Sequence, residues 1–190
     1  MAHEQHFKMI CEAVQKHDIS IWNKWRQENP DVRPDLSGTD LKRADLKKAF
    51  LQGAILRDAN LRGTDLSNAD LSGADLHKAN LVLTHFGAAN LTEADFSGAN
   101  LCDANLSEAN LSEANFSDAV LMGALFQGAD LNKARLEENV KDLSPFQIKT
   151  ARNWENAYLS KNILEGLGLP PDHNEQLRRE TDEKKPGLCG

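Results

Sequence analysis

The chain is poor in the residues that mark secreted, membrane-spanning or catalytic proteins. Its three cysteines, Cys11, Cys102 and Cys189, are odd in number and far apart. That excludes a disulfide framework and metal-ligand cysteine spacings. They read as free thiols in a reducing compartment. No apolar run reaches the roughly 18 residues that a membrane span needs, and no positively charged start leads into one. A cytoplasmic protein without membrane contact is therefore expected. His3, His6, His17, His77, His85 and His173 show no HxH or HExxH spacing, so no metal site is expected. No glycine-rich phosphate loop occurs, and no cofactor is expected either.

What is abundant is a five-residue repeat. From Leu36 to Leu136 every fifth residue is Leu or Phe: 21 positions, 17 of them Leu and four Phe (Phe86, Phe96, Phe116, Phe126). Two residues earlier, from Thr39 to Ala134, stands Ala or Thr, and the residue just before the Leu/Phe is Asp or Asn at 15 of the 21 units. A period of five suits neither ordinary element. On a helix each fifth residue advances by about 500°, so the leucines would spiral round the axis. On a flat strand they would alternate between faces. A unit that runs briefly extended and then turns a corner points every Leu inward, with the small Ala beside it. Glycine two residues after the Leu, as at Gly38 and Gly53, frees the backbone at that corner. Such a chain winds into a solenoid.

The unit A-[DN]-L-x-x, seen in Ala69-Asp70-Leu71-Ser72-Gly73 and Ala109-Asn110-Leu111-Ser112-Glu113, resembles the pentapeptide-repeat protein family. The resemblance covers about half of the chain. It implies an all-β solenoid, a right-handed quadrilateral parallel β-helix of 20 residues per coil, here with α-helical caps at both ends. Twenty-one units then give about five coils and a rod about 25 Å long. The lead-in from Trp22 through Asn29-Pro30 to Gly38 is also similar to the front of many cyanobacterial members.

Residues 1–33 read as a helical cap. Phe7, Ile10, Cys11 and Val14 have amphipathic helical spacing, and a second helix carries Trp22 and Trp25. Together they would close the open strand edge and the lumen over Leu36, Leu41, Leu46 and Leu51. Residues 34–138 are the repeat. Residues 139–169 are expected to be a helical segment, with Ser144 as N-cap, Pro145 at the first position, and a helix through Ile148, Trp154 and Tyr158. That helix is the candidate cap or dimer surface. Residues 170–190, charged and poor in apolar groups, are expected to be disordered.

Departures from the repeat pattern carry the functional reading. Val82, Cys102 and Met122 fall 20 residues apart in one outward column, with Leu83, Val120 and Leu125 near it. An outward apolar patch is either covered by the folded-back C-terminal segment or offered to a partner. Charge is uneven as well. Residues 35–63 hold six Lys/Arg and four Asp, a basic collar of Lys42, Arg43, Lys47, Lys48, Arg57 and Arg62, whereas residues 64–138 hold three basic and 12 acidic groups. Glu93, Asp95, Glu108 and Glu113 form the candidate acidic surface.

Catalysis is not expected. Cys102 and His85 are placed on different faces of different coils, and without long inserted loops the rod has no walls for a cleft. The collar lacks interleaved aromatics, so direct nucleic-acid binding is not expected. Two readings follow. One is a non-catalytic structural and protein-interaction module that offers flat faces to a protein partner, or pairs with a second subunit through the C-terminal helix. The other rests on the resemblance: some relatives mimic DNA and inhibit or protect DNA gyrase, and an acidic rod could act likewise on a type II topoisomerase.

Overall fold

The computed structural model describes residues 3–183, and they form a right-handed quadrilateral β-helix closed by helices at both ends. Each coil takes 20 residues. Asp35 bridges Ile55, Asp40 bridges Asn60, and parallel bridges continue in the same 20-residue step to Asn115 and Arg135. The Leu/Phe positions and the Ala/Thr positions are all buried. The phenyl rings gather inside: Phe96 stacks on Phe116 with centroids 5.0 Å apart and planes at 6°, while Phe86 and Phe126 meet this pair edge-on. Thr64 and Thr84, the larger residues in one Ala column, turn their hydroxyls to the carbonyls of Leu41 and Leu61 at 2.7 and 2.8 Å, so no buried oxygen is left without a partner there.

The preference for Asp or Asn has a local cause. At each of the 15 units that carry one, the side-chain oxygen accepts a bond from the backbone N–H two residues on, as Asp65 does from Ser67 at 3.0 Å and Asn115 from Ser117 at 3.1 Å. This is an Asx turn, and it sets the corner. The second corner residue then adopts positive φ throughout, whether it is Gly73 (φ 62°) or a side-chain-bearing residue such as Glu93 (φ 59°).

The N-terminal cap is α1 (Glu4–Gln15) and α2 (Ser20–Glu28). The first coil has no coil before it, and side chains of α2 stand in for one. Trp22 Nε1 donates to the Phe50 carbonyl at 2.8 Å. Asn23 donates to the Lys48 carbonyl and accepts from Phe50 N–H, both at 2.9 Å, and Arg26 reaches the Gln52 carbonyl at 3.2 Å. Trp22 itself is fully buried. On the other side His6, buried against Trp25, accepts from Asp35 N–H at 3.2 Å through Nδ1. Burial and the neighbouring His3 hold the His6 imidazole below its ordinary value of 6.5, and Asp35 offsets this only in part. A depressed histidine leaves stability intact above the unfolded value and withdraws it as pH falls through the folded one. Melting temperature is therefore expected to fall between pH 7.5 and 5.5, and less so in His6→Gln. Equal pH dependence in the two proteins would remove His6 as the source.

The C-terminal region departs from expectation. The helix begins as predicted, Ser144 and Gln147 forming a reciprocal capping box with Pro145 in the first turn, but α3 ends at Lys149 (Pro145–Lys149). Trp154 lies in a 3-10 turn and Tyr158 in β2 (Tyr158–Leu159), which pairs in parallel with β1 (Arg135–Leu136). Residues 137–159 thus make a sixth, irregular coil. Val120 bridges Lys141, Asp130 bridges Arg152, and Arg135 pairs with Tyr158, so the step widens from 21 to 22 to 23 residues. The unsatisfied edge of the fifth coil decides this: the Gly128, Leu131 and Lys133 N–H groups donate to the carbonyls of Thr150, Arg152 and Asn156. Bonds that close an exposed ladder outcompete i→i−4 bonds in a segment broken by Asn153 at φ 55°. The expected dimer helix therefore does not exist. Ile148 is buried in the sixth coil, and Trp154 and Tyr158 share no helical face.

The rod ends in α4 (Lys161–Leu167), whose Ile163 and Leu164 are buried, and α5 (His173–Glu183). Asn174 of α5 brackets Leu159, accepting from its N–H at 2.9 Å and donating to its carbonyl at 2.8 Å, and so closes the last strand. The expected disorder from 170 onward gives way to this helix up to Glu183. Residues 184–190, with Cys189, lie outside the described residues.

Candidate functional site

The outward apolar residues come together at one corner of the rod. Turns fall at residues 62–63, 82–83, 102–103 and 122–123 of successive coils, so Val82, Cys102 and Met122 stack along this edge with Leu83 beside them. Val120 lies on the face before the corner and Leu125 on the face after it. The C-terminal segment does not cover them, contrary to the fold-back expectation: Leu83 is 44% exposed, and Met122 and Leu125 are each 54% exposed. Val82, Cys102 and Val120 are half-buried by their column neighbours. Instead of folding over the patch, α3 lies at its C-terminal end. Gln147 donates to the carbonyls of Leu121 and Ala124 at 3.1 and 3.0 Å, which sets α3 across the end of this corner, and Phe146 on it is 79% exposed.

Sequence reasoning missed Phe146, though a signal was present. It stands two positions before the inward Ile148, about 200° round a helix, so one of the two had to face out.

Local chemistry is given up where the patch forms. Val120 and Leu125 stand where 15 other units hold an Asp or Asn, and so forgo the Asx bond. Leu83 takes φ 60° at a corner where Gly, Asn, Asp, Glu or Lys usually stands. Left-handed backbone costs an ordinary L-residue roughly 1–2 kcal/mol.

The candidate acidic surface is less free. Glu113 faces Lys133 at 3.7 Å, and Glu108 faces Arg152 at 3.9 Å. Asp95 uses Oδ1 to accept from Ser97 N–H at 2.9 Å and from the Asn115 amide at 3.0 Å. Glu93 remains exposed and without an ion pair among the described residues. Much of the collar is also engaged: Lys42 with Asp40, Lys47 with Asp65, and Arg57 with Asp75.

Cys102 stands at a corner of the fourth coil and His85 on the adjoining face of the third, and no hydrogen bond joins the two. A depression of about 350 Å³ between α5 and the last coils is walled by Asn132, Lys133, Asn156, Tyr158, Leu177, Glu180 and Thr181. The side chains bonded to each other there are two amides, Asn156 to Asn132 at 3.3 Å. Among the described residues no group of three or more His, Cys, Asp or Glu could hold a metal, and no helix is long and apolar enough to cross a membrane.

The profile of the family described as pentapeptide repeats matches residues 35–73, 69–107 and 103–137 of this chain. Among solved structures, the chain is similar to the pentapeptide repeat protein Rfr23 from the cyanobacterium Cyanothece 51142. The two are 26% identical over 73% of this chain and 97% of that one, with a TM-score of 0.41. It is also similar to alr5209, a pentapeptide repeat protein from Nostoc Pcc 7120: 31% identical over 64% of this chain and 84% of that one, TM-score 0.34. QnrB1, a plasmid-mediated fluoroquinolone resistance protein, aligns at 21% identity over 71% of this chain and 84% of that one, TM-score 0.33. No curated protein matches.

Proposed function

Because the chain belongs to the pentapeptide-repeat family, whose members are generally non-catalytic structural repeat proteins, we propose that it is a protein-interaction module and that its working surface is the apolar corner. The observation that carries this is the exposure, along one edge, of Leu83 in the third coil and of Met122 and Leu125 in the fifth, with Phe146 exposed on α3 after them. Contiguous exposed apolar groups on a soluble surface mark contact sites more often than they mark accidents. A rigid β-helix suits the task, since its surface needs no ordering when a partner arrives.

The test is comparative retention. Immobilised wild-type protein is expected to retain a partner from cells of its source that the Met122→Glu/Leu125→Glu variant does not, with both proteins melting within about 0.5 kcal/mol of each other. Equal retention by the two would remove the corner as the contact.

Leu83 supplies a second, sharper measurement. Leu83→Gly relieves the left-handed backbone and is expected to raise stability by roughly 1 kcal/mol while lowering partner retention. Stability and binding should move in opposite directions. A destabilised Leu83→Gly protein would show that the side chain serves the fold instead.

The DNA-mimic reading draws less support. Three of its four candidate carboxylates are tied, Glu108 and Glu113 to cations and Asp95 to the backbone of its own turn. A supercoiling assay that showed inhibition or protection of gyrase at micromolar protein would revive it.

A further inference from the structure

One face of the rod is charged at one end and apolar at the other, and this pattern specifies its occupant. The face carries Asp45, Asp65, His85, Asn105 and Leu125 in successive coils, bounded on one side by the apolar corner. At the N-terminal end Arg43 and Arg62 flank it on that corner and Lys48 on the opposite one. None of these three cations forms an ion pair among the described residues, while Lys47 covers Asp45 and Asp65 at 3.7 and 3.1 Å. Leu83 flanks the face in the third coil and Met122 in the fifth, with Asp103 on the corner between them and Phe146 on α3 beyond. The opposite corner is low only in the third coil, at Gly87 and Ala88; beyond it stand Glu108, facing Arg152, and Gln127, which bound the apolar end with polar groups.

We propose that this face docks an amphipathic α-helix of another protein, lying along the rod with a carboxylate-bearing end over Arg43, Arg62 and Lys48 and an apolar stripe over Leu83, Met122, Leu125 and Phe146. The proposal rests on the protein-interaction reading above and adds the class of partner. Spacing supports it. Coils rise about 4.8 Å and a helix about 5.4 Å per turn, so one apolar residue per turn meets each coil. Four steps from the first coil to the fifth span about 19 Å, the length of about 13 helical residues. Charge also decides against a second copy of this chain. Parallel pairing would set collar against collar, and antiparallel pairing would set the collar's cations against the partner's apolar end; both leave charge uncompensated. Asp103, exposed on the apolar corner, calls for a polar or basic residue at the matching turn of the helix.

The experiment uses the full chain and fluorescent four-turn helical peptides with a leucine stripe in each register relative to three terminal glutamates. At least one register is expected to bind saturably in fluorescence anisotropy. Met122→Glu/Leu125→Glu should weaken that binding at least tenfold. Arg43→Glu/Arg62→Glu should weaken it roughly tenfold and transfer preference to the same peptide ended in lysines, an exchange that mere loss of folding cannot produce. Equal binding by a peptide of the same composition broken with proline would overturn the helical occupant. So would failure of every register, although retention of a cellular partner would still uphold the broader reading. A light-scattering mass of two chains that Leu125→Glu halves would mean that a second copy covers the face, which also overturns the assignment.

Discussion

Phe116→Ala is expected to destabilise the rod by about 3–5 kcal/mol, the range for emptying a buried aromatic position. Phe116 is fully buried, stacked on Phe96 at 5.0 Å and edge-on to Phe126 at 6.3 Å, so its ring joins two neighbouring coils as well as filling the space between them. A solenoid makes contacts only between neighbours, and the lost energy therefore concentrates at one interface. Urea denaturation should lose its single transition, and hydrogen exchange should quicken in the fifth and sixth coils before the first two. Phe116→Leu is the control. Seventeen other units hold Leu at this position, so the narrow bore accepts it, and the cost should stay near 1 kcal/mol. Similar losses for Ala and Leu would mean that aromatic contact, not volume, holds the coils together.

Trp22→Ala should cost about as much, for a different reason. The indole fills the lumen's end, and its Nε1 also serves the Phe50 carbonyl, which has no preceding coil to bond. Losing the side chain opens a cavity and leaves an edge group without its partner, together roughly 3–5 kcal/mol. Trp22→Phe keeps most of the volume and forfeits the bond, at about 1–2 kcal/mol. Because the exposed end of a β-helix is a template for other chains, Trp22→Ala should also aggregate with time at concentrations where Trp22→Phe stays monodisperse. Light scattering during incubation separates the two effects. A monomeric, stable Trp22→Ala protein would show that α1 and the rest of α2 close the end without it.

The five-residue period made the inward Leu and Ala columns and the corners legible, the family resemblance implied the four-sided winding, and helical spacing in residues 1–33 marked the N-terminal cap. It did not reveal why Asp and Asn are favoured. The structure traces that to the Asx bond, which engages Asp95 through Oδ1. The irregular sixth coil was hidden because residues 139–159 carry helix-compatible spacing at Ile148, Ala151 and Trp154. The open ladder of the fifth coil outweighs that local preference. Three apolar departures, Met122, Leu125 and Leu83, were visible as residues out of place. Their exposure was not, because it depends on where the C-terminal segment goes.

One consequence of the Asx corners concerns how such a rod can diversify. Only one branch of each Asp or Asn side chain, an oxygen, is spent on the turn, as at Asn105 and Asn110. Where the second branch makes no bond to a neighbouring coil, as at Asn100, Asn105 and Asn110, it can be a charged oxygen or a neutral amide without disturbing the winding. Electrostatic identity is in that sense detachable from architecture: descendants of one rod can exchange polarity column by column and meet new partners on an unchanged frame.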